Sequence, residues 1–413
     1  MNRMASAVSR LAGAAALAAV LVAPLAARAE VSVVVDVATG KVLSSKNASA
    51  RWYPASTTKL MTAFLALKAM QKGDATLDTP VVMTQYAATQ VPSKMGFEPG
   101  SVMRLDMALR MMLVKSANDV AVAIGQTIGG GPLQNFVDMM NAEALALGMK
   151  DTHFVNPNGL PGDGQYSSAK DLGILAMHIR RDFPAFSEIF GVEAIEAGGA
   201  LIRNTNPLLG RYDGADGMKT GYICASGFNL VASATRDKRT IVAVVLGAEG
   251  PIVRDRISAQ LLEDGFRTDT SKMGLLIEQL PASAGPPADI SQEICSPAGQ
   301  KARAVEREAE AKRPDHNSGS PYLHEMDRPP SVVDVSLGGA AAGPSVEAGI
   351  SQIVAYGIPL PHWRPDDLGT SVAGKAAETA APAQLAADGK GGRLGGDTKV
   401  IDHADVLRSG VAN

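Results

Sequence analysis

Strand-forming and helix-forming segments are sorted along this chain rather than alternated, and that sorting limits the folds open to it. Residues 31–37 (Val-Ser-Val-Val-Val-Asp-Val) are rich in β-branched valine, and the turn Thr39-Gly40 with the return Val42-Leu43 makes a hairpin of them. Three more strand segments come much later, at 219–222, 228–235 and 240–246. The polar turn Arg236-Asp237-Lys238-Arg239 joins the last two. Between these ends the pattern is helical: residues 56–71 with Gly73 as a stop, 105–128, 132–148 and 169–181. Residues 252–266 form a further helix after the last strand. Strands joined by hairpins pair antiparallel. Segregated strands and helices therefore predict an α+β fold, an antiparallel sheet packed with helices, rather than βαβ units.

The chain has 413 residues, 46% of them hydrophobic, enough for a sizeable core in one large domain with additional segments. A net charge of −3, with no basic cluster, argues against a nucleic-acid partner. Arg3 and Arg10 precede an apolar, alanine-rich run at 11–25, and Ala27-Arg28-Ala29 fits a cleavage site before Glu30. Residues 1–29 read as an export signal, the run being shorter than the roughly 20 residues of a spanning helix. Export permits a disulfide between Cys224 and Cys295, but the sequence leaves their pairing open. The folded domain is expected over 30–270. From 271 to 413 the composition predicts a mostly disordered extension, with a charged helical run at 301–313 and an apolar island at 353–363. The final residues, 397–413, carry a weak apolar stripe (Val400, Ile401, Ala404, Leu407) with few basic residues, a poor membrane-surface helix.

Three short segments carry the chemistry. Ser56 and Lys59 lie where a proline-marked turn enters a helical pattern. Residues three apart on a helix share a face. A lysine in an apolar face is pushed toward its neutral form, which can activate a neighbouring hydroxyl. Ser116-Ala117-Asn118 places two polar side chains after the apolar run Met111-Met112-Leu113-Val114, where buried polar groups need partners. Lys219-Thr220-Gly221 starts a strand, offering a cation, a hydroxyl and a residue without Cβ that lets another backbone approach. The histidines show no H-E-x-x-H spacing and no glycine-rich phosphate loop is present, so neither metal nor cofactor is expected.

Taken together, S-x-x-K, S-x-N and K-T-G in this order resemble the serine penicillin-recognising enzymes. The resemblance runs from Val31 to Phe266. It takes in Asp36-Val37-Ala38-Thr39-Gly40, the stretch from His153 to Leu160 (HFVNPNGL) and the stretch from Gly227 to Ala234 (GFNLVASA). This closer set is similar to the low-molecular-weight penicillin-binding proteins, the D-alanyl-D-alanine carboxypeptidases of the S11 peptidase type. It implies a transpeptidase/β-lactamase-like fold with a helical subdomain beside the sheet, and a periplasmic enzyme trimming peptidoglycan stem peptides, with β-lactams as covalent inhibitors.

Residue by residue, the resemblance implies Ser56 as nucleophile, Lys59 as its base and Ser116 as proton relay. It also implies Asn118 as ligand of the substrate amide, and Lys219, Thr220 and Arg254 around the terminal carboxylate. The backbone N–H groups of Ser56 and Tyr222 would receive the oxyanion beside Gly221. His153 and Asn158 read as loop architecture. A β-lactamase is the alternative, but its class A form favours Ser-Asp-Asn, where this chain has Ala117. That form also needs a glutamate for deacylation, and residues 153–166 contain none. A non-catalytic peptidoglycan-binding module is the other alternative. The weak terminal stripe predicts a soluble or loosely membrane-associated protein.

Overall fold

The computed structural model describes residues 31–339. The export signal at 1–29, the apolar island at 353–363 and the stripe at 397–413 lie outside the described residues. In chain order the elements are β1 (Val31–Asp36), β2 (Val42–Lys46), a 3-10 turn (Ala55–Thr58), α1 (Lys59–Lys72), β3 (Pro80–Val82), α2 (Gln85–Ala88) and β4 (Val102–Arg104). Then come α3 (Leu105–Val114), α4 (Asn118–Ile128), α5 (Leu133–Ala146), α6 (Ala169–Asp182), β5 (Ala194–Ala197) and β6 (Ala200–Arg203). The order closes with β7 (Ala215–Ile223), β8 (Gly227–Arg236), β9 (Arg239–Ala248), α7 (Pro251–Arg267), α8 (Ser291–Ile294), α9 (Pro297–Ala311) and β10 (Val332–Asp334).

The main sheet has the order β2-β1-β9-β8-β7, and all its pairs are antiparallel, as the hairpins required. Its strands alternate between two apolar layers. Val31, Val33 and Val35 of β1, with Val242, Val244 and Leu246 of β9, face the large core shared with α1, α3, α4 and α6. Val34, Ile241 and Ala243 face the other way, onto Ala259 and Leu262 of α7. Burial on both faces is why the two strands read as nearly unbroken apolar runs, each large side chain contributing about 1.5–3 kcal/mol. The helical layer is centred on α4, whose residues Val120 to Ile124 are all buried.

Sequence and structure part company at four places. The helical stretch 105–128 is two helices, because Ser116 sits at φ 64°, outside the helical region. The helix expected from Ser56 starts as a 3-10 turn and becomes α-helical only at Lys59. Two small sheets, β3-β4 and β10-β5-β6, were not foreseen, since strands of three or four residues show no readable alternation.

The fourth difference is the extension. Residues 271–339 were expected to lack packing and instead run across the domain. Ile277, Ile294, Leu323 and Val335 are each buried against it. β10 pairs in parallel with β5, and Cys295 is disulfide-bonded to Cys224, with Cα atoms 5.6 Å apart. Composition misled because the anchoring residues are isolated, and each docks into a core that already exists. The charged run at 301–313 lies in α9 up to Ala311, and Arg303 there donates to Ile294 O at 2.7 Å. Among the described residues, no helix is long and apolar enough to cross a membrane.

Candidate active site

The site is assembled around the 3-10 turn Ala55–Thr58. Asn229 of β8 clamps its entrance, its Nδ2 donating to Tyr53 O (3.0 Å) and Pro54 O (3.2 Å) while its Oδ1 accepts from Gly247 N. Strand β7 passes very close by. A Cβ at Gly221 would lie 3.0 Å from Ser56 N and 2.9 Å from Pro54 O, so only glycine fits there without moving the turn. On the other side the 153–166 loop presses in. Gly159 has φ +83°, and a Cβ there would come within 1.9 Å of Ala55 O. Ala55 itself has φ 48°, a conformation that L-residues adopt only when their surroundings impose it.

Ser56 is half-buried, and Lys59, one turn on, is completely buried. The Lys59 Nζ lies 2.9 Å from Ser56 Oγ, 2.7 Å from Asn118 Oδ1 and 2.6 Å from the main-chain oxygen of Asn158. Burial is the largest cause pushing the Lys59 amine well below its ordinary range. The Lys219 cation pushes the same way, and Asp119 pulls weakly back. The three contacts then fix the roles of a neutral amine. Two are oxygens that can only accept, so they take both N–H groups. The remaining lone pair faces the Ser56 hydroxyl, which can donate to it.

Asn118 opens α4 and bridges the site to the 91–96 segment. Its Nδ2 donates to Val91 O (2.9 Å) and its backbone N to Ser93 O (2.7 Å). The adjoining Asp119 side chain, fully buried, accepts from Met95 N, Gly96 N and Val120 N, which satisfies it there. Ser116 is 8% exposed, and no hydrogen bond holds its hydroxyl among the described residues. With its left-handed backbone, it is a strained polar residue with a free O–H.

On β7, the buried Lys219 donates to Thr220 O at 2.9 Å. Burial first, and then the Arg254 guanidinium, bring its amine down to about 7. Arg254 of α7 is buried and paired with Asp255, through Nε (2.9 Å) and Nη2 (2.7 Å) to Oδ1. Thr220 Oγ1 donates to Thr205 Oγ1 at 2.7 Å. The Tyr222 ring stacks on Phe228, centroids 4.3 Å apart, and its hydroxyl is 3.4 Å from Cys295 Sγ. The Tyr222 side chain is therefore held by Phe228 and Cys295.

Hydrogen bonds thus join Ser56, Lys59 and Asn118 directly. Gly221 lies against Ser56, and Lys219 and Arg254 enter through their charge. Three contributors carried weaker signals or none. Asn158 acts through a backbone carbonyl, which no residue type announces. Asn229 lies inside the stretch 227–234 noted above and works as the clamp. Thr205 had no signal. Among the described residues, no group of three or more His, Cys, Asp or Glu side chains is arranged to hold a metal.

Comparison with known proteins places the chain among relatives. The peptidase S11 family model, described as D-alanyl-D-alanine carboxypeptidase, matches residues 18–250, more than half of the chain. The D-alanyl-D-alanine carboxypeptidase DacF of Bacillus subtilis is 36% identical over 247 residues, 59% of this chain and 63% of the relative. The chain therefore spans a little under two thirds of that relative's length. Among solved structures, penicillin binding protein 5 from Haemophilus influenzae matches with a TM-score of 0.55 and 34% identity, covering 58% of this chain and 71% of its own. Penicillin-binding protein D2 from Listeria monocytogenes, in an ampicillin-bound form, matches with a TM-score of 0.50 and 31% identity, covering 58% and 97%.

Proposed function

Because this chain belongs to the D-alanyl-D-alanine carboxypeptidase family, peptidase S11, we propose that it removes the terminal D-alanine from peptidoglycan stem pentapeptides through an acyl-enzyme on Ser56. The observation that carries this reading is the desolvated Lys59 amine, with its N–H groups committed to Asn118 and Asn158 and its third contact the Ser56 hydroxyl. Ser56 Oγ attacks the carbonyl carbon of the penultimate D-alanine as its proton passes to Lys59 Nζ. The carbonyl oxygen, now an oxyanion, is received by the backbone N–H groups of Ser56 and Tyr222. Collapse breaks the C–N bond, and the leaving amine takes a proton relayed by the Ser116 hydroxyl. A water then attacks the ester carbonyl, its proton returning through Lys59, and Ser56 is released.

Lys219, Thr220 and Arg254 surround the terminal carboxylate. The desolvated Lys219 keeps its proton best when an anion sits beside it. Asn118 receives the substrate amide on the second lone pair of Oδ1, the first being taken by Lys59. The protein acts in the periplasm, where the export signal would deliver it. A β-lactam, which presents a strained amide and a carboxylate, should trap Ser56, as expected of a chain similar to penicillin-binding proteins.

The test is intact-mass spectrometry with benzylpenicillin, followed by product analysis with pentapeptide muropeptides. One penicilloyl adduct that disappears in Ser56→Ala, together with release of D-alanine, is expected. An adduct surviving in Ser56→Ala, or no D-alanine release, would sink the reading. Fast penicillin turnover without a trapped adduct would point to a β-lactamase.

A further inference from the structure

Thr205 stands between two walls of the site and belongs to none of its sequence motifs. It follows β6 on a turn whose neighbours are locked. Asn204 Nδ2 donates to Val192 O (2.7 Å), and Asn204 Oδ1 accepts from Asn206 N (2.9 Å). Asn206 Nδ2 donates to Gly217 O (2.9 Å), and its Oδ1 accepts from Leu208 N (3.2 Å). The Thr205 N–H reaches Val114 O (3.2 Å), at the end of α3 and two residues before Ser116. Its hydroxyl meets Thr220 Oγ1 at 2.7 Å. The turn is therefore stiff, and the half-buried Thr205 side chain is aimed at the K-T-G strand.

Two paired hydroxyls have a simple donor count. Each owns one proton, and one of the two is spent inside the pair, so one O–H remains for a ligand. Because Thr220 donates to Thr205, the remaining proton belongs to Thr205. An acceptor-only, negatively charged group beside this pair would also have Lys219 and Arg254 at hand. A carboxylate satisfies that description. A peptide amide, neutral and carrying its own N–H, does not.

We propose that Thr205 is a specificity-determining residue, forming with Thr220 a paired-hydroxyl receptor for the free terminal carboxylate and so favouring carboxypeptidase substrates over chains that continue past the released residue. The inference rests on the acyl-transfer reading above. Thr205 donates to one carboxylate oxygen, and the hydrogen bond that Thr220 donates to Thr205 makes the Thr205 O–H the stronger donor toward that anion.

The test compares wild type, Thr205→Val and Thr205→Ser in the mature protein. The substrates are diacetyl-L-lysyl-D-alanyl-D-alanine as the free acid and as its C-terminal amide. Valine keeps the shape and loses the hydroxyl, whereas serine does the reverse. Thr205→Val should lower kcat/KM for the acid by about 10- to 100-fold, while Thr205→Ser stays within about threefold of wild type. The rate on the amide should change less than about threefold in either variant, whatever its wild-type value. Wild-type rates in Thr205→Val, or equal losses in both variants or on both substrates, would overturn the proposal. A wild type that neither releases D-alanine nor takes up benzylpenicillin defeats the underlying reading, and this inference with it.

Discussion

Lys219 shows what a single residue can cost the fold. Its amine is buried, donates one hydrogen bond to Thr220 O and feels Arg254, and burial brings it down to about 7. Unfolded, the same amine titrates near ~10.4. A base whose pKa is lower in the folded state binds fewer protons there, so folding is penalised below the unfolded pKa, most of all at pH 7 and under, and the penalty fades as pH rises toward ~10. Lys219→Met should therefore abolish penicillin labelling yet raise stability by about 1–3 kcal/mol at pH 7, the gain shrinking by pH 9.5. Urea denaturation at the two pH values checks this. A variant less stable than wild type at pH 7, or a gap that widens with pH, would contradict it. Lys59 belongs to the same class, but its two carbonyl acceptors would lose their donor on substitution, so its effect on stability is mixed.

At the scale of elements, the site depends on how closely β7 and the 153–166 loop approach the turn that carries Ser56. Gly221→Ala should separate strand from nucleophile, because its Cβ would meet Ser56 N and Pro54 O at 3.0 and 2.9 Å. The acylation rate with benzylpenicillin should fall by about 100-fold or more. Thermal melting should move only a few degrees, and an unchanged acylation rate would show that the strand can yield. The same level decides what the sequence could reveal. The antiparallel sheet was legible because β1, β8 and β9 are valine- or alanine-rich, and the grouping of Ser56, Lys59 and Asn118 because their side chains make the contacts. The break at Ser116 was hidden, since a left-handed serine leaves no mark in an apolar run. Asn158 reads as loop architecture because its contribution is a carbonyl, common to every residue. Thr205 was missed because the turn that positions it is held by contacts far apart in the chain, to Val192, Gly217 and Val114.

For the molecule as a whole, the segment 271–339 is part of the fold. The Cys224–Cys295 bond closes a loop of 71 residues and fastens this segment to the end of β7, next to Tyr222. Its loss should cost about 2–4 kcal/mol. Denaturation curves with and without reductant should separate by that amount, and superimposable curves would show that the bond adds nothing. The bond also has a consequence for the order of events in the cell. Thiols stay open in a reducing cytosol. A chain bound for export would thus leave the ribosome without its last fastening, remain looser while it must still pass through a membrane channel, and tighten only on the oxidising side. A brace that can be tied only at the destination would leave such a chain easier to thread in transit and firmer on arrival.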